Sequence, residues 1–146
     1  MNLKELQKNW NRFGKQDPLW AIATYPDKKG RKWVPEDFFQ LGKGDVEFDF
    51  EYLNKLGIVI PTGHALDFGC GVGRLTQALA PKFDDVVGVD IAPSMIKIAR
   101  KSNRFGDRCR YYLNERDDLA LFKDNSFDFV LSRITLQHIH PRYIRR

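Results

Sequence analysis

The chain has 146 residues, 42% of them hydrophobic, and its formal net charge is +5 at pH 7. This length predicts one domain with enough apolar residues for a core, and the basic excess permits acidic partners without requiring them. We interpret the densest basic segments, residues 28–32 and 142–146, as solvated surface, so nucleic acid is not favoured as a partner.

The sequence gives no sign of a membrane segment or a metal site. No apolar run approaches the roughly 18 residues of a membrane-spanning helix, and we recognise no signal peptide. The two cysteines, Cys70 and Cys109, do not have metal-ligand spacing. They predict reduced thiols in a cytoplasmic protein, with no bound metal and no membrane partner.

The first predicted helix begins at Asn2, because Glu5 three residues later completes a capping-box pattern. Apolar residues then recur at helical spacing on one face: Leu3, Leu6, Trp10 and Phe13. We expect this face to pack on the domain, and the alternative is that the helix forms part of a lid.

An aromatic loop is predicted between Gly14 and Pro35. It contains Trp20, Tyr25 and Trp33 among prolines and glycines. Loops of this length are either functional or poorly ordered, and the aromatic side chains favour order.

Two helices are predicted next. Pro35 suits the first turn of a helix, which residues 42–44 (GKG) are expected to interrupt. Asp45 can cap a second helix that ends at Gly57. The second helix has an apolar stripe typical of a core-facing helix: Val46, Phe50, Leu53 and Leu56.

A buried strand, a glycine turn and a helix follow at residues 65–79. Gly69, Gly71 and Gly73 let the backbone bend sharply and approach a ligand closely. The helix after them directs its unpaired N–H groups at the same place. Asp67 precedes the turn, so we expect its carboxylate to face a ligand that carries positive charge beside polar groups.

A second strand ends in another acid, Asp90, 17 residues after Gly73. Glycines in a turn are a weak signal alone, but in a βαβ unit an acid near this position meets the ribose hydroxyls of an adenosine group. We expect Asp67 and Asp90 to lie at the carboxyl ends of neighbouring parallel strands, above one crevice.

These segments resemble the class I S-adenosylmethionine-dependent methyltransferases over residues 65–141. Residues 67–73 (DFGCGVG) resemble the first motif of that family, and residues 88–90 (GVD) resemble the second. Residues 121–132 resemble its adenine-side loop and fourth strand, whereas residues 1–64 have no such signature.

The resemblance implies a Rossmann-like, doubly wound α/β fold with a parallel sheet in the strand order 3-2-1-4. Residues 1–62 would be an N-terminal helical and aromatic extension, a candidate lid, and residues 63–146 the cofactor-binding half. The predicted strands are residues 64–68, 85–90, 109–114 and 127–134. The predicted helices in this half are residues 74–82 and 93–104.

The resemblance also implies the cofactor S-adenosylmethionine, with S-adenosylhomocysteine as product. The residues implied to bind it are Asp67, Gly69, Cys70, Gly71, Gly73, Asp90, Ile91 and Ser132. In the loop after the third strand, Asp118 and Leu119 are the preferred adenine contacts, and Asp117 is the rival because the register is open.

His138 is the one candidate for a general base, because side chains just past the fourth strand face the transferring methyl group in this fold. The alternative is that His138 only caps or packs the following helix. A base is needed only where the acceptor keeps its proton at neutral pH, so a catalytic residue is not compulsory.

The family fold has further strands after the fourth, so we expect either a longer protein or completion of the fold by another chain. Residues 127–134 would otherwise form an exposed apolar edge. This edge predicts a homodimer, an exchange of elements, or cover by the N-terminal segment.

The expected acceptor is a small molecule. Two other functions stay open: a non-catalytic module for S-adenosylmethionine binding or for interaction, and a NAD-binding oxidoreductase. The latter would prefer the pattern GxGxxG and a neutral residue in place of Asp67.

Overall fold

Four parallel strands form the sheet of the protein in a computed structural model, which describes residues 2–144. The strands are β1 (His64–Phe68), β2 (Asp85–Asp90), β3 (Cys109–Leu113) and β4 (Phe129–Leu131). Their order is β3-β2-β1-β4, and every neighbouring pair is parallel. The predicted fold class and strand order are therefore confirmed.

Strands β3 and β4 are shorter than predicted. Strand β4 begins at Phe129, and Asp128 before it is held to β1 by two bonds: its Oδ2 accepts from the His64 N–H at 2.7 Å, and its N–H donates to the His64 carbonyl at 2.8 Å. The strand ends before Ile134, whose φ of +59° leaves the extended region. The prediction of residues 127–134 as one strand was wrong at both ends.

Six helices accompany the sheet within residues 2–144. They are α1 (Leu3–Gln16), α2 (Pro18–Ile22), α3 (Pro35–Lys55), α4 (Arg74–Leu79), α5 (Pro93–Ser102) and α6 (Pro141–Ile144). Helices α3, α4 and α5 pack on the sheet face that carries Ala65 and Val86. The opposite face, with Leu66 and Val87, meets Phe122 and Phe127 from the connection between β3 and β4.

Helix α3 runs without a break through residues 42–44, so the predicted interruption was wrong. Gly42 is buried where α3 crosses α4, and a Cβ there would lie 2.6 Å from Arg74 Cγ and 2.8 Å from the Arg74 carbonyl oxygen. This glycine therefore permits a close helix approach instead of ending a helix. Asp45, predicted as a cap, pairs with Arg74. Gly57 follows the helix with a φ of +72°.

Helix α1 has the predicted capping box, in which Asn2 Oδ1 and Glu5 Oε2 each accept a 2.9 Å bond from the other residue's backbone N–H. It docks on α5 through Ser94, whose N–H donates to Asn11 Oδ1 at 3.0 Å and whose Oγ donates to the Asn11 carbonyl at 2.8 Å. Gly14 allows this approach, because a Cβ there would collide with the Ser94 side chain.

The predicted aromatic loop, residues 14–35, contains the end of α1, helix α2 and a 3-10 turn (Pro26–Lys28), so the prediction of a loop was wrong for these residues. The Trp20 indole donates to the Tyr25 carbonyl, and the Trp33 indole donates to the Ala23 carbonyl, both at 3.0 Å. Trp33 also packs edge-on against Phe38 of α3. These contacts join the segment to a core cluster shared with α5. Along residues 2–144, every helix is too short or too polar to cross a membrane.

Candidate functional site

A turn of three left-handed glycines lies at the carboxyl end of β1. The φ angles of Gly69, Gly71 and Gly73 are +81°, +54° and +83°, which side chains with a Cβ rarely adopt. The N–H groups of Gly69 and Cys70 donate to the Val89 carbonyl at 2.8 and 3.0 Å. The turn is therefore fixed to the end of β2, beside Asp90.

Asp90 lies under the glycine turn, with both carboxylate oxygens oriented by backbone. Its Oδ2 accepts from the Gly71 N–H at 2.9 Å, and its Oδ1 accepts from the Ala92 N–H at 2.8 Å. Burial raises the pKa of Asp90 above its usual value, and these backbone bonds oppose the rise. A carboxylate has about four acceptor sites, so Asp90 keeps acceptor capacity for a further donor such as a hydroxyl.

Asp67 does not face the crevice, which corrects the expectation from the sequence. It is 1% exposed, and its Oδ2 accepts from the Thr76 hydroxyl of α4 at 2.7 Å. Asp67 shares its face of β1 with Ala65, the face that the helices cover. Burial raises the pKa of Asp67 to about 6.

Cys70 and Gly73 belong to the turn but pack against the strands beneath it. Cys70 is buried, and burial raises the pKa of its thiol well above the usual range. A Cβ on Gly73 would lie 2.6 Å from the Tyr111 hydroxyl oxygen, so this glycine packs on β3. Neither residue lines the adjacent cavity. Together with Asp67, they shape the turn from below.

A cavity of about 1300 Å³ opens above the turn. Its walls come from the carboxyl ends of the strands, from α1 and α2, and from the segments after β3 and β4. Nine of the residues predicted for the site line it: Gly69, Gly71, Asp90, Ile91, Asp117, Asp118, Leu119, Ser132 and His138. The structure thus brings these residues to one space.

The loop after β3 is held by internal hydrogen bonds. Asn114 Nδ2 donates to the Asp118 carbonyl at 2.7 Å, and the Arg116 guanidinium donates to both Asp118 carboxylate oxygens at 3.1 Å. Arg116 lowers the pKa of Asp118 below its usual value. Asp117 and Asp118 both line the cavity, so the register between them stays as the sequence left it.

The segment after β4 crosses over the glycine turn. The Ser132 hydroxyl donates to the Phe68 carbonyl at 3.2 Å, and the Thr135 side chain lies where a Cβ on Gly69 would be. His138 ends a 3-10 turn (Leu136–His138), with its ring centroid 5.3 Å from that of Trp10 in an edge-on contact. Its Nε2 lies 3.2 Å from Gln137 Nε2.

Sequence reasoning did not identify Ile22 and Thr135 as part of the site. Ile22 Cδ1 lies 2.7 Å from the position of a Cβ on Gly71, so α2 meets the glycine turn directly. The sequence signal that could have identified Ile22 was its apolar side chain within the aromatic segment. Thr135 gave no comparable signal, because its contact with Gly69 depends on the path of the chain after β4.

The chain resembles known methyltransferases in sequence. Residues 65–146 match the model of the methyltransferase domain family. A ubiquinone biosynthesis O-methyltransferase from Xanthomonas campestris is 34% identical over 83 residues, which cover 56% of this chain and 35% of that protein. Phosphoethanolamine N-methyltransferase 1 from Arabidopsis thaliana is 35% identical over 101 residues, which cover 68% of this chain and 20% of that protein.

The fold also resembles a solved structure, that of Haemonchus contortus phosphoethanolamine N-methyltransferase 1 in complex with phosphoethanolamine and S-adenosylhomocysteine. The TM-score is 0.70 at 15% identity, over 97% of this chain and 27% of that one. The chain thus spans about a fifth to a third of the length of these relatives. Since the family model matches more than half of it, the chain belongs to the methyltransferase domain family.

Proposed function

We propose that this chain binds S-adenosylmethionine and is the cofactor-binding part of a methyltransferase that acts on a small-molecule acceptor. The observation that carries the proposal is Asp90, oriented by two backbone N–H groups at the edge of the cavity. The acceptor capacity that the Asp90 carboxylate keeps suits the neighbouring hydroxyls of a ribose. The methyltransferases named above and the neighbour's bound S-adenosylhomocysteine support the same function.

The residues around the cavity fit this cofactor. Gly69 and Gly71 present bare backbone at its floor, where a Cβ would meet Thr135 or Ile22. We assign the ribose to Asp90 and the residue after it, Ile91. The adenine is assigned to the segment 117–119, and Ser132 is assigned to the cofactor from the β4 side. Asp67, Cys70 and Gly73 support the turn without touching the cofactor.

When bound, S-adenosylmethionine supplies an electrophilic methyl group. The residues of this chain hold the acceptor at attack distance and exclude water. Such positioning can lower the activation free energy by up to roughly 7–11 kcal/mol. His138 is proposed as the general base for an acceptor that keeps its proton at neutral pH, because its ring lines the same cavity.

Residues 1–62, which the sequence predicts as an extension, are proposed to be the lid of the site. Gln7 of α1 donates its side-chain amide to the Ile91 carbonyl at 3.3 Å and to the Glu115 carboxylate. One side chain of α1 thus spans the end of β2 and the loop after β3. This bridge supports a role for α1 in covering the cofactor.

A partner chain is proposed at β4, which forms one edge of the four-stranded sheet within residues 2–144. The strand is short and apolar (FVL), and an apolar edge strand is a template for pairing. A homodimer or an exchange of elements there would cover the edge. A cytoplasmic location is proposed from the two free, buried thiols, Cys70 and Cys109.

Calorimetric titration of the purified chain with S-adenosylhomocysteine tests the proposal. Because a charge-assisted hydrogen bond contributes about 1.5–3 kcal/mol, Asp90→Ala should weaken binding at least about tenfold. Asp107→Ala is the matched control, since Asp107 is an exposed acid outside the cavity. Equal affinity of Asp90→Ala and the control would contradict the assignment.

A titration with NAD and an assay for consumption of S-adenosylmethionine separate the two other functions. An oxidoreductase would bind NAD in preference to S-adenosylhomocysteine. A non-catalytic module would bind S-adenosylmethionine without consuming it when candidate acceptors are added.

A further inference from the structure

The cavity has one wall that differs in chemistry from the rest. We define the acceptor wall as the cavity-lining side chains of residues 3–24 and 130–144. They come from α1, from α2 and the residues just after it, and from the chain from β4 onward. It is dominated by apolar and aromatic side chains, including Trp10, Phe13, Trp20, Ile22, Leu136 and Tyr143. Within these described ranges, Arg133 is the one lining residue with a permanent charge.

The charge of Arg133 is already compensated from outside the cavity. Its Nη1 donates to Asp49 Oδ2 at 2.8 Å, and its Nη2 donates to Asp45 Oδ1 at 3.3 Å. Both carboxylates belong to α3, which does not line the cavity. A ligand that drew Arg133 away would leave two partly buried carboxylates without this partner, which is unfavourable.

The other charged lining residues do not belong to the acceptor wall. Apart from Asp90, they all belong to the segment 114–127 after β3: Arg116, Asp117, Asp118, Lys123 and Asp124. This is the segment that the proposed function assigns to the adenosine group. A charged acceptor seated on the acceptor wall would lose hydration and would find no unpaired charge among the side chains of that wall.

The aromatic rings of the acceptor wall suit a planar ring. Trp10 makes edge-on contacts with Phe13, at 5.6 Å between centroids, and with His138, at 5.3 Å. Aromatic pairs prefer such edge-to-face and offset arrangements, so a further ring can extend this cluster favourably. His138 is the wall residue with an imidazole, a side chain that can serve as a general base.

We propose that the acceptor is an uncharged, planar aromatic molecule with a hydroxyl group, of the phenol or catechol class, bound between α1 and the segment after β4. This inference rests on the proposed function. A phenol keeps its proton at neutral pH and therefore needs a base. The phenol proton passes to the His138 imidazole, the phenol oxygen forms its bond to the methyl carbon, and the S–CH3 bond breaks with its electron pair left on sulfur.

The test compares three probes on the purified chain saturated with S-adenosylhomocysteine. Catechol represents the proposed class, phosphoethanolamine an acceptor with a phosphate, and tetramethylammonium a cation that an aromatic cluster can also bind. Catechol should bind at least about tenfold more tightly than either charged probe. Tighter binding of a charged probe overturns the inference.

Trp10→Ala should weaken the binding of catechol at least about fivefold, because the substitution removes the ring that contacts His138. Phe48→Ala is the matched control, since Phe48 is 68% exposed on α3 and lies outside the cavity. Equal catechol affinity in these two variants overturns the inference.

Ile134→Asp provides a second variant, should Trp10→Ala fail to fold. Ile134 is 64% exposed at the wall with a φ of +59°, a conformation that Asp adopts more readily than Ile. The added carboxylate should weaken the binding of catechol and strengthen the binding of tetramethylammonium. An unchanged ratio of these two affinities overturns the inference. Binding of S-adenosylhomocysteine without catechol refutes the acceptor class alone, whereas loss of S-adenosylhomocysteine binding refutes the proposed function and the inference with it.

Discussion

Two glycines of the same turn should respond differently to an added methyl group. Gly71 and Gly73 both have positive φ, and alanine in this conformation costs about 1–2 kcal/mol. They differ in what the new Cβ would meet. At Gly73 it would lie 2.6 Å from the hydroxyl oxygen and 2.9 Å from Cζ of Tyr111, a ring that is 5% exposed. At Gly71 it would meet the Cδ1 end of Ile22, which can rotate away.

The collision with the buried ring adds an overpacking penalty of about 1–3 kcal/mol at Gly73. We therefore expect Gly73→Ala to lower the free energy of unfolding by about 2–5 kcal/mol, and Gly71→Ala by about 1–2. Gly71 lines the cavity and Gly73 does not. Gly71→Ala should thus remain folded yet bind S-adenosylhomocysteine at least about tenfold more weakly.

Urea unfolding followed by circular dichroism gives the two free energies, and calorimetry gives the affinities of the folded variants. Gly30→Ala controls for the backbone strain alone, because Gly30 has a φ of +83° and nothing within 4 Å of its Cβ position. Equal destabilisation at Gly71 and Gly73 would refute the packing argument. Unchanged affinity in Gly71→Ala would refute the close approach of the backbone to the ligand.

Two further predictions concern Asp67 and the β4 edge. Burial raises the folded-state pKa of Asp67 from 3.8 to about 6, so this residue destabilises the fold as pH rises between these values, by roughly 3 kcal/mol. In urea unfolding, Asp67→Asn should therefore gain stability relative to the wild type from pH 4 to pH 7, and parallel profiles would contradict this. At the edge, light scattering should find the wild type dimeric; a monomeric wild type would argue against pairing there.

The central strands could be predicted because local pattern and tertiary role agree there. Strands β1 and β2 have the predicted bounds, His64–Phe68 and Asp85–Asp90, since both are mainly apolar, have an acid as their last or penultimate residue and precede a turn. Position along a strand also placed Asp90 beside the glycine turn.

The remaining features depend on which surfaces meet, which one sequence does not specify. Alternation along β1 shows that Asp67 and Leu66 face opposite sides, but only the packing of α4 decides that Asp67 is covered. Gly42 belongs to a glycine-rich stretch typical of a helix break. Its actual role, a close approach of two helices, depends on Arg74 of another helix. Local propensity is overridden in both cases by a contact with a distant residue.

One carboxylate of α3 connects the two sides of the cavity. Asp45 pairs with Arg74, the first residue of α4 directly after the glycine turn, and with Arg133, which follows β4. Arg74 is 7% exposed, so removing Asp45 would leave a buried guanidinium without its ion pair, whereas the Arg133 pair is more exposed and weaker. Asp45 lies outside the segment 65–146 that matches the family. The turn proposed to bind the cofactor and the acceptor wall are therefore both anchored by a helix that the family motifs do not include.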